Sequence, residues 1–238
     1  MTVKLLHLYG DMMNLYGEYA NLAVLERYLK ELGHEVISDT LSMYEDKDIS
    51  GYDLYYLGAG TERKMKRVLP ELLRYREVLR SEMDAGKVLL FTGNACDLLG
   101  KSITDADGEN YEALGIGAFD SIEGKRRITG DCIAKMEGIK EDLVGFINKC
   151  SVSKGVSSPL LHLTMGFGNE QERGAEGFRL KNCIGTHVTG PILVKNPPML
   201  SYLCSLLLKE GVPAPSWEHM TKSYEVTHRA LSARLMEK

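Results

Sequence analysis

The amino-acid sequence predicts an α/β fold, with a mostly parallel, doubly wound sheet flanked by helices and an antiparallel extension in the second half. Between residues 3 and 99, short apolar runs alternate with segments of helical periodicity, which is the pattern of a parallel sheet with crossover helices. Between about residues 114 and 194, glycine-rich, strand-like segments indicate antiparallel pairing. Because 238 residues suit one sizeable core, we expect a single domain over residues 1–238.

The first half supplies most of the parallel sheet. Residues 3–8 form an apolar run typical of a buried strand, and leucines at three- and four-residue steps over residues 22–32 predict a helix that Gly33 ends. Further strands are predicted from Val36 and over residues 53–57 and 87–91, with helical segments over 61–83 and 94–99. Pro70 is expected to force a break, or a new first turn, in the first of these helical segments.

The second half is predicted to be strand-rich. Residues 178–189 alternate between apolar and polar side chains, which predicts one strand with two distinct faces. Helices over residues 199–208 and 223–236 close the chain.

Composition excludes several classes of protein. A formal charge of −4 argues against nucleic-acid binding, and no apolar run reaches the length of a membrane span. The first ten residues read as a strand and not as a signal peptide. The five cysteines are scattered without a C-x-x-C pair, so we expect reduced thiols, no metal, no cofactor and a cytoplasmic protein.

Three segments reach the carboxyl ends of the predicted strands, where α/β sheets bind ligands. The first contains Gly58, Ala59 and Gly60, whose small side chains would let backbone N–H groups converge on a negative charge as an oxyanion loop does. A plain tight turn is the alternative interpretation of this segment.

The second segment, residues 91–100, has the strand–turn–helix layout of a nucleophile elbow. Its apex is Gly93, which offers no nucleophile, and Cys96 follows about one turn later. A helix dipole would lower the pKa of that thiol, whereas a small buried apolar residue is the alternative role.

The third segment, residues 185–191, places His187 at a strand end. Its imidazole has the chemistry of a general base, and packing or hydrogen bonding is the alternative.

Several segments, taken in order, resemble the GatD family, the glutaminase subunit of lipid II isoglutaminyl synthase and a relative of the CobB/CobQ amidotransferases. Residues 14–21 (NLYGEYAN) are similar to NLYGDRGN, residues 93–100 (GNACDLLG) to CGGYQLLG, and residues 126–131 to KR-x-x-GN. Residues 166–182 are similar to GFGNN…EG…YKN, and residues 185–197 to GTYLHGPLLPKNP.

This resemblance implies a class I glutamine amidotransferase-like fold and a definite chemistry. In the family a cysteine attacks the carboxamide of glutamine, a histidine on a neighbouring strand activates it, and ammonia passes to a Mur-ligase-like, MurT-type partner. An arginine of the KR-x-x-GN segment binds glutamine, and the matching residue is Arg127. Glutamine or a glutamine-like molecule is the implied ligand.

The chain departs from the family where the chemistry should occur. The cysteine position holds Gly93 and the histidine position holds Thr189, while Cys96 and His187 stand where the family has tyrosines. The family's GFENH segment is altered over residues 145–149 (GFINK).

Three hypotheses follow. The chain is a degenerate amidotransferase domain without glutaminase chemistry. Alternatively, Cys96 and His187 form a relocated dyad, since a two-residue slip moves a side chain roughly 7 Å along a strand and three helical residues span about 4.5 Å. Lastly, the scaffold serves another binding role. A cavity beside Gly93 would favour binding, and a collapsed one a structural role.

Overall fold

The computed structural model describes residues 1–236. The strands are β1 Thr2–Leu8, β2 Glu35–Leu41, β3 Leu54–Leu57, β4 Val88–Thr92, β5 Ser102–Thr104, β6 Asn110–Glu112, β7 Asp120–Met136, β8 Leu143–Lys154, β9 Leu161–Met165, β10 Ala175–Glu176, β11 Phe178–Leu180, β12 Cys183–Thr186 and β13 Val188–Thr189. The α-helices are α1 Ala20–Glu31, α2 Glu62–Leu73, α3 Arg76–Asp84, α4 Ile192–Lys195, α5 Pro197–Leu208 and α6 Glu218–Met236. Short 3-10 helices cover Leu15–Gly17 and Gly93–Leu99.

The first sheet has the strand order β11-β12-β4-β3-β1-β2, and every neighbouring pair is parallel except β11 with β12. Alternate side chains of its central strands enter two separate cores. In β4, Leu89 and Phe91 belong to the core that includes α2 and α3. Val88 and Leu90 belong to the core that includes α1 and α5. A sheet covered on both faces confirms the predicted doubly wound arrangement.

The second sheet is built on the antiparallel pair β7 and β8. The sequence predicted short strands here, but β7 has 17 residues and β8 has 12. The glycines within them do not end the strands, because the ladder continues past each one. One irregularity interrupts it: the register of β7 against β8 shifts between Glu123 and Ile128. This bulge leaves residues 124–127 exposed at the edge of the site.

The prediction of one strand over residues 178–189 was wrong. Lys181 has a φ of +53°, so the chain turns back between β11 and β12. β12 then pairs with β4 of the first sheet, whereas β13 pairs with β8 of the second. The chain therefore crosses from one sheet to the other at His187, the residue between β12 and β13.

Two helical predictions also need correction. Pro70 lies inside α2, and the break falls after Leu73, before α3 begins. Pro70 is exposed while Leu69 and Leu72 are buried, so the loss of one hydrogen bond on the solvent side does not end the helix. The segment after β4 is a 3-10 helix of seven residues that ends before Gly100.

All five cysteines are free thiols. Among residues 1–236, none of the helices combines the length and the apolar character needed to cross a membrane.

Candidate functional site

The elbow lies at the carboxyl end of β4. Gly93 has a φ of +62°, the left-handed conformation that a sharp strand-to-helix turn requires and that glycine adopts without strain. The neighbouring strand β12 ends at the same level, because Thr186 is the register partner of Thr92. The backbone geometry of a nucleophile elbow is present, and its apex has no side chain.

The space beside Gly93 is filled. A Cβ atom built on Gly93 would lie 2.5 Å from the Cβ of Ala59 and 3.1 Å from Cγ2 of Thr189. Nonbonded carbon atoms in proteins do not approach to 2.5 Å, so a cysteine would fit only if Ala59 moved. Thr189 is fixed in turn, since its hydroxyl donates to the carbonyl oxygen of Phe146 on β8 at 3.0 Å. The cavity beside the elbow is therefore collapsed and lined by two methyl groups.

The backbone of residues 58–60, the predicted oxyanion loop, is held by the residue after Gly93. The N–H of Gly60 donates to Oδ1 of Asn94 at 3.0 Å, and Nδ2 of Asn94 donates to the carbonyl oxygen of Gly60 at 2.9 Å. The family pattern CGGYQLLG has glycine at the position of Asn94. The side chain of Asn94 thus occupies a loop N–H that an oxyanion would need.

Cys96 is buried in the 3-10 helix, with its sulfur packed against the backbone of Gly185. Burial, together with the charges of Glu176 and Asp97, raises the pKa of the Cys96 thiol well above its ordinary value. This direction is opposite to the lowering expected from a helix dipole. The seven-residue 3-10 helix supplies too little aligned backbone to offset the loss of solvation.

His187 is fully buried and bridges two carboxylates. Its Nδ1 lies 3.2 Å from Oε1 of Glu176, and its Nε2 lies 3.1 Å from Oδ1 of Asp97. Each ring nitrogen thus faces a carboxylate and not the thiol of Cys96.

Asp97 and Glu176 are both saturated with hydrogen bonds. Asp97 accepts from Ser121 and Ser151 at 2.7 Å each, in addition to His187. Glu176 accepts from the hydroxyl of Thr186 and from the backbone N–H of His187, both at 2.7 Å. These donors come from both sheets and from the crossover between them.

Lys149 is the fourth charged residue of this buried region. The residue is 1% exposed, and its Nζ donates to the carbonyl oxygen of Gly168 at 2.8 Å. Together, Asp97, Lys149, Glu176 and His187 are called the buried ionic network below. With all four ionised, two negative and two positive charges cancel.

The pKa values of the network reflect burial opposed by mutual attraction. Burial alone would raise the pKa of Asp97 and Glu176, but the charge and hydrogen bonds of His187 outweigh it and lower both. Burial and Lys149 would lower the pKa of His187, but Asp97 and Glu176 raise it. Burial lowers the pKa of Lys149, against the pull of the same two carboxylates.

The sequence analysis singled out His187 but missed Asp97 and Glu176, which contact it, and Lys149, whose charge acts on both carboxylates. The signal was present in the quoted family patterns: Asp97 stands where CGGYQLLG has glutamine, Lys149 where GFENH has histidine, and His187 where GTYLHGP has tyrosine. These departures are far apart in sequence, and only the fold brings them into one buried region, in which His187 contacts both Asp97 and Glu176.

Arg127 lies at the exposed edge of the site, in the bulge of β7. Its Nη1 pairs with Oε1 of Glu62 at 2.9 Å, and its Nε donates to Oδ1 of Asn148 at 2.6 Å. Asn148 in turn donates to the hydroxyl of Tyr16 at 2.7 Å. The guanidinium of Arg127 is thus already paired with Glu62, a carboxylate of the same chain that lies two residues after Gly60.

Glu18 is a buried carboxyl group behind the elbow that the sequence analysis did not identify. Its side chain accepts hydrogen bonds from Thr92 and Tyr56 and from the amide of Asn21. Burial raises the pKa of Glu18 despite these hydrogen bonds. Glu18 therefore ties the loop before α1 to the residue that precedes Gly93.

Within residues 1–236, no group of three or more His, Cys, Asp or Glu side chains is arranged to hold a metal ion.

Comparison with curated proteins finds relatives of one kind. The chain is 28% identical over 223 residues to the lipid II isoglutaminyl synthase (glutamine-hydrolyzing) subunit GatD of Streptococcus pneumoniae, covering 91% of this chain and 86% of that protein. It is 29% identical over 208 residues to the corresponding GatD subunit of Staphylococcus aureus, covering 87% and 85%.

Solved structures with a similar fold include PurLQS from Thermotoga maritima, with a TM-score of 0.58 and 12% identity over 88% of this chain and 99% of that one. A further crystal structure of a glutamine amidotransferase has a TM-score of 0.57 and 15% identity over 85% and 98%. At these identities the likeness concerns the fold. The model of the CobB/CobQ-like glutamine amidotransferase domain matches residues 4–197, more than half of the chain. The chain therefore belongs to the CobB/CobQ-like glutamine amidotransferase family and resembles its GatD members.

Proposed function

We propose that the chain is a GatD-type subunit of a lipid II isoglutaminyl synthase-type complex that has lost glutamine hydrolysis. It acts as a single domain in the cytoplasm and retains the scaffold on which a Mur-ligase-like, MurT-type subunit docks. The GatD relatives, matched over most of their length, support the assignment to such a complex. The complex would then depend on free ammonia or on regulation by a glutamine-like ligand.

The filled space at Gly93 carries the proposal. Loss of the nucleophile alone would leave a pocket, but here Ala59 and Thr189 close on the position that a side chain would occupy. The general base is lost as well as the nucleophile, because the hydroxyl of Thr189 is not basic enough to accept a proton near neutral pH. Without nucleophile and base, covalent catalysis is absent.

The environment of Cys96 and His187 supports the same conclusion over a relocated dyad. The raised pKa of Cys96 leaves the thiol protonated at neutral pH, and a protonated thiol is a poor nucleophile. Both ring nitrogens of His187 face carboxylate oxygens, at 3.1 and 3.2 Å, so neither is free to accept a proton from the thiol of Cys96.

Ammonia release from glutamine tests the proposal. The purified chain is assayed with its Mur-ligase-like partner, alongside the Streptococcus pneumoniae GatD subunit with its own partner as the positive control. We expect release at background level, unchanged in Cys96→Ala and His187→Ala. Release above background that both substitutions abolish would overturn the proposal and establish the relocated dyad. Co-purification of chain and partner, with ligation supported by ammonium but not by glutamine, would support it.

A further inference from the structure

The buried ionic network sits where the two sheets meet. Asp97 comes from the 3-10 helix after β4, His187 from the crossover between β12 and β13, Glu176 from β10 and Lys149 from β8. The first two extend elements of the first sheet, and the other two belong to the second. The contacts of His187 with Asp97 and Glu176 therefore join the sheets beneath the elbow. Lys149 donates to backbone carbonyl groups and acts on the two carboxylates through its charge.

We propose that Asp97, Lys149, Glu176 and His187 act as one charge-balanced unit that joins the two sheets, with His187 held as the imidazolium. The two ring nitrogens of His187 lie 3.1 and 3.2 Å from carboxylate oxygens. A neutral ring carries a proton on one nitrogen only, so one of these contacts would set a lone pair against a carboxylate. The imidazolium donates to both, which fits both distances.

The members of the unit depend on each other, because water cannot reach the site to solvate a charge that a substitution leaves unpaired. The side chains of Asp97, Glu176 and His187 are at most 2% exposed. Removing one partner of a buried ion pair exposes the other to the full cost of an unpaired charge. The other titratable groups that face the unit are the thiols of Cys96 and Cys132, whose pKa values are raised by burial and by Glu176, and the carboxylate of Glu123, which pairs with Lys66 at 2.8 Å.

The departures from the family patterns support a unit whose members depend on each other. Glutamine, histidine and tyrosine stand at positions 97, 149 and 187 of those patterns, whereas Asp97, Lys149 and His187 occur in the chain. Each exchange alone places one new charge in a buried site, or removes a partner from it. Made together, the three exchanges add one negative and two positive charges beside Glu176, which balances the set.

The experiment compares three single variants, D97Q, K149H and H187Y, with the triple variant, by urea unfolding of the isolated chain at pH 7. Each single variant should raise the equilibrium constant of unfolding by about 100-fold or more. The triple variant should be at least about 10-fold more stable than the product of the three single effects predicts, because the imidazole that K149H introduces can carry the one proton that balances Glu176. Ser157→Ala, which removes an exposed hydroxyl outside the network, is the control and should change little.

If the effect of the triple variant on the equilibrium constant of unfolding equals the product of the three single effects, the three sites are independent and the proposal is overturned. A second measurement avoids dependence on variants that fail to fold. In ¹⁵N spectra of the histidine-labelled wild-type chain, the ring most protected from exchange should carry protons on both nitrogens at pH 7. A buried ring with one unprotonated nitrogen would also overturn the proposal. Neither readout involves glutamine or a partner, so the outcome is separate from that of the hydrolysis assay.

Discussion

The emptied elbow and the buried ionic network are four residues apart on the same segment, yet they have changed in opposite ways. At the elbow, glycine and threonine stand where the family has cysteine and histidine, and the methyl groups of Ala59 and Thr189 each lie against the position that a side chain on Gly93 would occupy. In the network, charged side chains stand where the family has neutral or weakly basic ones. We therefore propose that catalytic side chains were lost at the elbow while charged side chains gained a structural role beneath it.

The physical reason lies in what each region tolerates. A small gap between methyl groups closes with modest rearrangement, so an elbow without side chains remains stable. A buried polar cluster has no such freedom, because each unpaired donor or charge costs free energy. The network must therefore be complete, whereas the elbow need only be filled.

Glu176→Ala should have the largest effect, because it breaks the network at its centre. The substitution leaves His187 with one carboxylate and deprives the hydroxyl of Thr186 and the N–H of His187 of their acceptor. We expect a loss of about 3–5 kcal/mol in the free energy of unfolding. Chemical denaturation measures it.

Glu170→Ala is the matched control for that variant, since Glu170 is exposed. Its effect should stay within about 0.5 kcal/mol. Equal losses in the two variants would mean that the network contributes nothing beyond an ordinary surface carboxylate.

Gly93→Cys should have an intermediate effect and probes the filled space at the elbow. The new side chain meets Ala59, so we expect about 1–3 kcal/mol of overpacking in addition to the strain of a positive φ. Gly33→Cys separates the two contributions, because Gly33 has a φ of +86° and no atom lies within 4 Å of the point that its Cβ would occupy.

Ala59→Gly in the Gly93→Cys background should recover the overpacking part, which a double-mutant cycle measures. If Gly93→Cys and Gly33→Cys lose the same stability, Ala59 does not close the elbow.

The sequence predicted the first sheet well, because its inner strands β3 and β4 are buried on both faces and are continuous apolar runs, such as residues 88–91. It misjudged residues 178–189, where regular alternation hid a turn at Lys181 and a change of sheet at His187. Alternation reports side-chain direction and not pairing partner.

The sequence predicted the candidate site only in part, because a local pattern does not show which distant segments come into contact. Gly93, Ala59 and Thr189 could be located by matching motifs, but their contact depends on the approach of two loops. Asp97, Lys149 and Glu176 carry ordinary residue types with no local spacing, and they become a network only when the fold brings together positions as distant in sequence as Asp97 and Glu176. Tertiary pairing of this kind leaves no periodic signal.

Glu62→Gln should have the smallest effect and tests whether burial, and not charge alone, gives the network its strength. The Arg127–Glu62 pair is similar in distance, at 2.9 Å, but its side chains are 44% and 25% exposed. Pairs of this kind contribute about 0.2–1 kcal/mol, and salt screens them, so the loss should shrink further at high ionic strength. Unfolding at low and high salt measures this loss, with Glu218→Gln on α6 as the exposed control.

Glu62→Gln also releases the guanidinium of Arg127 from the carboxylate that now holds it. If Arg127 is the glutamine-binding residue, calorimetric titration with glutamine should therefore show tighter binding in Glu62→Gln than in the wild type. Unchanged binding would leave Arg127 as a structural partner of Glu62, and a stability loss as large as that of Glu176→Ala would remove burial as the explanation of the difference between the two regions.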